Sequence, residues 1–314
     1  MSSSASTKVI YAALIGNALI AVTKFVAAAF TGSSAMLSEG IHSVVDTGNQ
    51  VLLLYGIRRS RKPPDELFPF GHGKEIYFWS FVVAILIFAV GAGVSIFEGV
   101  RHILAPQPIE NYALNYVVLA VALVFEGAAW YFAFREFSRE KGTLGFVEAV
   151  QRGKDPSMFV VLFEDSAAML GLIVAALGIF LSQATGILYF DGVASIVIGL
   201  ILGGTAIWLA HETKGLLIGE SANKKVVEQI RAIVASHAEV EHVNEVLTMH
   251  MGPDFILVNL SVDFVDAASA AEIERTVVRI DRLIKNARPE VKRVFIEGEA
   301  RRSKYVKDEN LLQG

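Results

Sequence analysis

Apolar residues gather into six runs across the first two thirds of the chain, at about 9–30, 35–57, 76–100, 112–134, 158–181 and 188–210. Each is about 20 residues long, the length at which a helix crosses the hydrocarbon core of a bilayer. Basic residues collect in alternate connections. One holds Arg58, Arg59, Arg61, Lys62 and Lys74; the other holds Arg135, Arg139, Lys141, Arg152 and Lys154. The intervening connections, "TGSS", "RHILAPQPIEN" and "SQATG", carry little basic charge. Lys and Arg are retained on the cytoplasmic side, so the pattern predicts a multi-pass protein of the cell (inner) membrane with both termini cytoplasmic. The first run begins near Lys8 and has no small-residue cleavage site behind a short apolar core, so it reads as a retained helix.

After Ala210 the composition changes, and from about 212 the chain reads as a soluble α/β domain. "SANKKVVEQIRAIVASH" places Val226, Val227, Ile230, Ile233 and Val234 on one helical side. "HVNEVLTMHM" and "FILVNLSVDF" alternate as strands around the turn "MGPD", "SAAEIERTVVRIDRLIKNA" is a second helix, and "VKRVFIEGE" a last strand. The expected fold class is therefore a membrane all-α bundle of six transmembrane helices over 1–211, followed over 212–300 by a small cytoplasmic α/β domain of ferredoxin-like α-β-β-α-β order. Residues 301–314 read as a flexible tail.

The second run is interrupted by "SEGIHSVVDTGNQ". Glu39, His42, Asp46 and Asn49 follow one another at helical spacing and form a polar stripe. Such a stripe faces the bundle interior, because each group is costly against lipid. An imidazole and a carboxylate four residues apart can hold a divalent metal. The fifth run supplies a second acidic centre, "LFEDSAAMLG". Its neighbours Glu164 and Asp165 point about 100° apart on a helix. Three carboxylates and a histidine facing one another need a cation among them or shared protons. The stripe thus reads as half of a divalent-cation site. Asn17, Lys24, Glu98 and Glu126 also fall in the spans and read as structural polar groups.

Composition narrows the field. Hydrophobic residues make up 53% and charged residues 19%, too apolar for an ordinary soluble protein. The net charge of −4 gives no footprint for nucleic acid, and the absence of cysteine excludes disulfides, thiolate metal sites and cysteine nucleophiles.

Six spans, "HSVVD" in the second, the acidic centre of the fifth, "PFGHGKE" at 69–75 and "YFDGVASIVIGLIL" in the sixth together resemble the cation diffusion facilitator family over roughly 8–300. The resemblance implies a homodimer that exports Zn²⁺ or a related metal in exchange for protons, with two ligands on span two and two on span five. His42 and Asp46 match the first pair and Asp165 the second ligand of span five; the remaining position falls on Val161, which cannot bind metal. Either Glu164 or a water then completes the set, and the uncommon "ED" marks a divergent branch. In the loop, Asp65 and His72 match a further metal site, although Phe68 stands where a second histidine would, and "FGHGK" equally reads as a plain turn. In the last domain, Asn244, Asn259, Glu297 and Glu299 fall at the family's zinc positions, and two asparagines there predict no strong binuclear site. His242 and His250 nearby read as structural.

One imidazole among carboxylates binds a cation without the grip of thiolates, which suits Zn²⁺ and is compatible with Fe²⁺, Co²⁺ and Mn²⁺. Ligation requires a neutral histidine, so protons and metal compete. The expected function is a proton-coupled divalent-metal efflux transporter working by alternating access, with no resident cofactor and no enzymatic activity. Its expected partners are the metal, protons, the bilayer and a second copy of the chain. Asp191, at the outer end of span six, either serves the exit path or caps its own helix. Two readings from other classes remain at this point: a non-transporting membrane metal sensor, and a membrane metal-dependent hydrolase using His42, Asp46 and Asp165 with Glu164 as base.

Overall fold

A computed structural model of the chain describes residues 3–109, 111–141, 145, 149 and 156–301. Arg152 and Lys154 of the second basic loop, and the expected tail beyond Arg301, lie outside the described residues. The chain divides into two compact units that meet between Leu217 and Ile218.

Among the described residues the first unit has six long helices: α1 (Ser3–Thr31), α2 (Ser34–Ser60), α3 (Glu75–Leu104), α4 (Tyr112–Glu140), α5 (Pro156–Thr185) and α6 (Tyr189–Ile218). Helices α3 to α6 are long and apolar enough to cross a bilayer. Helix α2 is equally long but carries the charged stripe and Arg58 and Arg59 in its last turn, and the apolar stretch Asn17–Thr31 of α1 is shorter. Polar atoms turn inward and apolar ones outward. Phe30, Phe97, Val124, Phe132, Leu200 and Ile207 are exposed on the outside, while Glu39, His42 and Asn49 are at most 1% exposed. That inversion is what a lipid solvent selects.

Local chemistry sets the helix joints. Gly32 (φ +69°) turns the chain from α1 to α2 in a conformation that only glycine adopts freely, and the Ser33 hydroxyl accepts from Met36 N to start α2. Helix α3 contains a π-helical segment, Ile87–Ala92. Beyond it Gly99 packs so closely on α6 that an added Cβ would lie 2.6 Å from the Gly192 carbonyl oxygen. Helix α2 touches α1, α3 and α5 and is the hub of the bundle. Helix α6 does not stop at Ala210, where composition changes. It continues to Ile218, because Thr213 folds its hydroxyl onto the Leu209 carbonyl (2.7 Å) and Leu216 buries against Ile76 and Tyr77 of α3.

The second unit runs α7 (Lys224–Ala235), β1 (Val240–Gly252), β2 (Phe255–Phe264), α8 (Ala270–Ala287) and β3 (Val291–Gly298). Strands β1 and β2 form an antiparallel hairpin, and α8 crosses over to place β3 parallel to β2, giving the order β1-β2-β3. Val226, Ile230 and Val234 of α7 and Ile280 and Ile284 of α8 join Val258, Leu260 and Val262 in one core. Val227 and Ile233 flank that core only partly buried. Ser269 opens α8 by donating both its N–H and its hydroxyl to Glu272 (2.8 Å each).

Candidate functional site

The stripe on α2 is buried throughout: Glu39 0%, His42 1%, Asp46 8% and Asn49 0% exposed. His42 Nδ1 lies 3.2 Å from Asp46 Oδ1, one helical turn away, but without hydrogen-bond geometry. Both ring nitrogens of His42 and Oδ1 of Asp46 therefore remain without a hydrogen-bond partner. Buried polar atoms are mostly satisfied; these three are exceptions that lie side by side on one helix face.

Helix α5 meets this stripe through its two adjacent acids, which divide their work. Glu164 faces α2: it accepts from Asn49 Nδ2 (2.6 Å) and lies within hydrogen-bonding range of the Asp46 carboxyl. Two acids at that range need a shared proton or a cation between them. Asp165 turns about a quarter of a revolution further, as a helical step of about 100° dictates, and lines a small cleft together with Asn17, Ser43, Asp46, Glu126, Ala129 and Ala168. The cleft has room for a single water-sized sphere, about 10 Å³. Asp46 belongs to both settings and joins them. Val161 is packed among apolar residues and offers no donor. Among the described residues, no three His, Asp or Glu side chains are yet gathered into a shape that would hold a metal. The donors are neighbours on two touching helices rather than a closed cage.

Sequence reasoning missed part of this site. Asn17 of α1 and Glu126 of α4, taken there as structural, line the cleft with Asp46 and Asp165. Lys24 is completely buried and donates to Glu39 Oε2 (3.1 Å), Ser43 Oγ (2.8 Å) and Glu126 Oε1 (2.7 Å). The available signal was a lysine in an apolar run, which requires an acid partner; which acid depends on packing between helices. Glu98, by contrast, pairs with exposed Arg101 at 3.3 Å and stays away from the cleft.

Asp191, Asp65, His72 and Asn244 have ordinary partners. Asp191 does not cap its own helix. It accepts from Ser33 Oγ (2.6 Å), Ser34 N (2.6 Å) and Ser34 Oγ (2.9 Å), and so caps the start of α2. In the loop, Asp65 accepts from Leu67 N (3.0 Å) and Phe68 N (2.8 Å) and lies 2.9 Å from His72 Nε2. The bond to His72 is the main reason that the Asp65 carboxyl is held below the usual carboxylate range, with the Phe68 amide second. In the second unit Asn244 donates to the Glu299 carbonyl (2.9 Å) and Ser261 to Glu299 Oε2 (2.6 Å), while Asn259 is exposed on the sheet face turned away from the helices.

Comparison with known proteins places this geometry in context. Residues 10–218 match the cation efflux transmembrane domain. The proton-coupled zinc antiporter SLC30A9, mitochondrial, of Xenopus laevis is 37% identical over 260 residues, 82% of this chain and 46% of that protein. The metal tolerance protein C4 of Arabidopsis thaliana is 31% identical over 82% of this chain and 57% of its own length. The manganese efflux system protein MneP of Bacillus subtilis is 23% identical over 94% of this chain and 93% of its own. The chain thus spans about half the length of the first of these relatives. The chain belongs to the cation efflux family of multi-pass membrane transporters, which are not enzymes.

Proposed function

We propose that the chain exports a divalent metal cation, Zn²⁺ foremost, in exchange for protons. The observation that carries this reading is the cleft that Asp46 and Asp165 line together, with Glu164 beside Asp46 and the unpartnered ring of His42 one helical turn away. The cation is the cargo. In this reading His42, Asp46 and Asp165 take it, and Glu164 supplies the donor absent at Val161.

The donor chemistry supplies the exchange. A histidine ligates only when neutral and a carboxylate best when ionised. Protons arriving at the outward-open site therefore displace the metal, and metal arriving from the cytoplasm displaces protons. Donors near the bilayer midplane, between helices that shift against one another, are the usual setting for alternating access. In this reading all six helices span the membrane, with the basic loops and both termini in the cytoplasm of a cell whose inner membrane holds the protein. The second unit, ferredoxin-like and cytoplasmic, pairs two copies of the chain. Leu247 and Phe295, about half exposed on either side of Asn259 on the uncovered sheet face, support that pairing. Asp65 and His72 are the two donors of a secondary loop locus.

Metal uptake into inside-out proteoliposomes under an imposed pH gradient tests the reading, with Zn²⁺, Mn²⁺, Fe²⁺ and Co²⁺ compared. Gradient-dependent uptake of Zn²⁺ is expected. Uptake of Mn²⁺ alone would reassign the cargo to a harder ion, which carboxylates also accept. Tight metal binding without flux would make the protein a sensor instead.

A further inference from the structure

Lys24 uses all three of its donors. They go to Glu39 and Ser43 on α2 and to Glu126 on α4. One ammonium thus faces two acids inside the bundle, and each acid keeps one oxygen in reserve. Glu39 Oε1 and Glu126 Oε2 are buried without a hydrogen-bond partner. The two reserves point to different places. The spare oxygen of Glu39 lies against Gly171 of α5, where there is room only because that residue lacks a Cβ. Glu126 lines the cleft beside Asp46 and Asp165. Asp46, 8% exposed and with Oδ1 unpartnered, independently marks the cleft as a place for a ligand rather than a mere patch of acid.

A purely structural ion pair would satisfy both partners and stand apart from the cleft. This one leaves Glu126 with the tethered ammonium on one oxygen, an unpartnered second oxygen, and a side chain that lines the cleft. We propose that Lys24 is a built-in counter-ion of the cargo site, and that Glu126 is a further cargo donor, from α4, which an incoming divalent cation takes over from the lysine. With the cleft empty, Lys24 neutralises Glu126 and straps α1 to α2 and α4. With a divalent cation in the cleft, Glu126 turns toward the stronger charge and the strap to α4 loosens, while Lys24 keeps Glu39 and Ser43. Loading is thereby coupled to the hold of α1 on α4. The cargo class is a small divalent cation: Lys24 already satisfies Glu126 with one positive charge, so a monovalent ion gains nothing by replacing it. The proposal rests on the reading of this cleft as the transport site.

Calorimetric Zn²⁺ binding to the full chain in lipid nanodiscs tests it. Glu126→Gln is expected to weaken binding about tenfold, the usual loss when a partner of a metal site is removed. The double variant Lys24→Gln with Glu39→Gln removes one charge of each sign and leaves Glu126 without its competitor, so binding is expected to tighten severalfold. Opposite signs in the two variants are the signature. Unchanged affinity in both, or weakening in both, overturns the proposal. If either fails to fold, Glu126→Asp decides: it keeps the charge but draws the carboxylate back by one carbon, and wild-type affinity would overturn the proposal. Asp46→Asn separates the two levels of inference. Lost binding in Asp46→Asn with wild-type binding in Glu126→Gln removes only the role of Glu126. Wild-type binding in Asp46→Asn removes the transport site itself.

Discussion

Two of the buried polar clusters among the described residues of the helical unit differ in completeness. At the end where α1 turns into α2, Asp191 of α6 is satisfied on both oxygens. Oδ1 accepts from Ser33, and Oδ2 accepts from the Ser34 amide and hydroxyl and lies 3.0 Å from His102 Nδ1 of α3. His102 Nε2 accepts from Gln107 N (3.0 Å), and Nδ1 lies 2.9 Å from Ser34 Oγ, so both ring nitrogens have partners. In the middle of the bundle, His42 has no hydrogen-bond partner on either nitrogen, and Asp46 has none on Oδ1. Both clusters pair a histidine with an aspartate. The first is closed and ties α2, α3 and α6 together; the second is open. A closed polar network rigidifies, whereas an incomplete one is costly unless something completes it. Completeness, more than residue type, separates the joint from the site.

That contrast can be broken most directly at Asp46. Asp46→Ala is expected to cut metal-driven proton movement in proteoliposomes by at least about a hundredfold, since even outer partners of metal ligands are worth 10- to 100-fold, while the protein remains folded. Near wild-type flux would show the open cluster to be idle. Asp191→Asn should do the reverse. Loss of charge-assisted bonds at a buried cap is expected to cost about 2–3 kcal/mol of stability, read as a lower unfolding temperature in detergent, with Zn²⁺ affinity of the folded protein unchanged. A large loss of affinity would place Asp191 in the ion path. Glu164→Gln sharpens the description of the open cluster. Affinity should fall about tenfold if its carboxylate is the fourth donor, and unchanged affinity would assign that place to water.

The smallest effect belongs to the loop. Asp65 is held below its ordinary range, so its contribution is present above the ordinary carboxylate pKa and lost as pH falls through the lowered value. Amide exchange at Leu67 and Phe68, whose N–H groups it accepts, should accelerate at acid pH in the wild type. In Asp65→Asn that acid dependence should disappear; its persistence would mean that another group sets it.

Much of this was legible in the chain itself, for identifiable reasons. A span of lipid demands a long apolar run, so α3 to α6 could be read from length and apolarity. A buried stripe must repeat at helical spacing, so Glu39, His42, Asp46 and Asn49 declared their common face. The alternation of β1 and β2 and the core residues Val226, Ile230 and Val234 followed from periodicity as well. The end of α6 was less legible, because a run of polar residues after Ala210 resembles a boundary, whereas Thr213 satisfies itself on the helix backbone.

What sequence by itself determined was therefore what depends on repeat and solvent: which segments are helices and which face of α2 is polar. Only the tertiary structure decided who meets whom. Lys24 lies 15 residues from Glu39 but 102 from Glu126, and Ser33 lies 158 from Asp191. No spacing rule reaches across such separations. The choice between a satisfied joint and an unsatisfied site is made by which helices touch, since a hydrogen bond exists only where packing places its second atom.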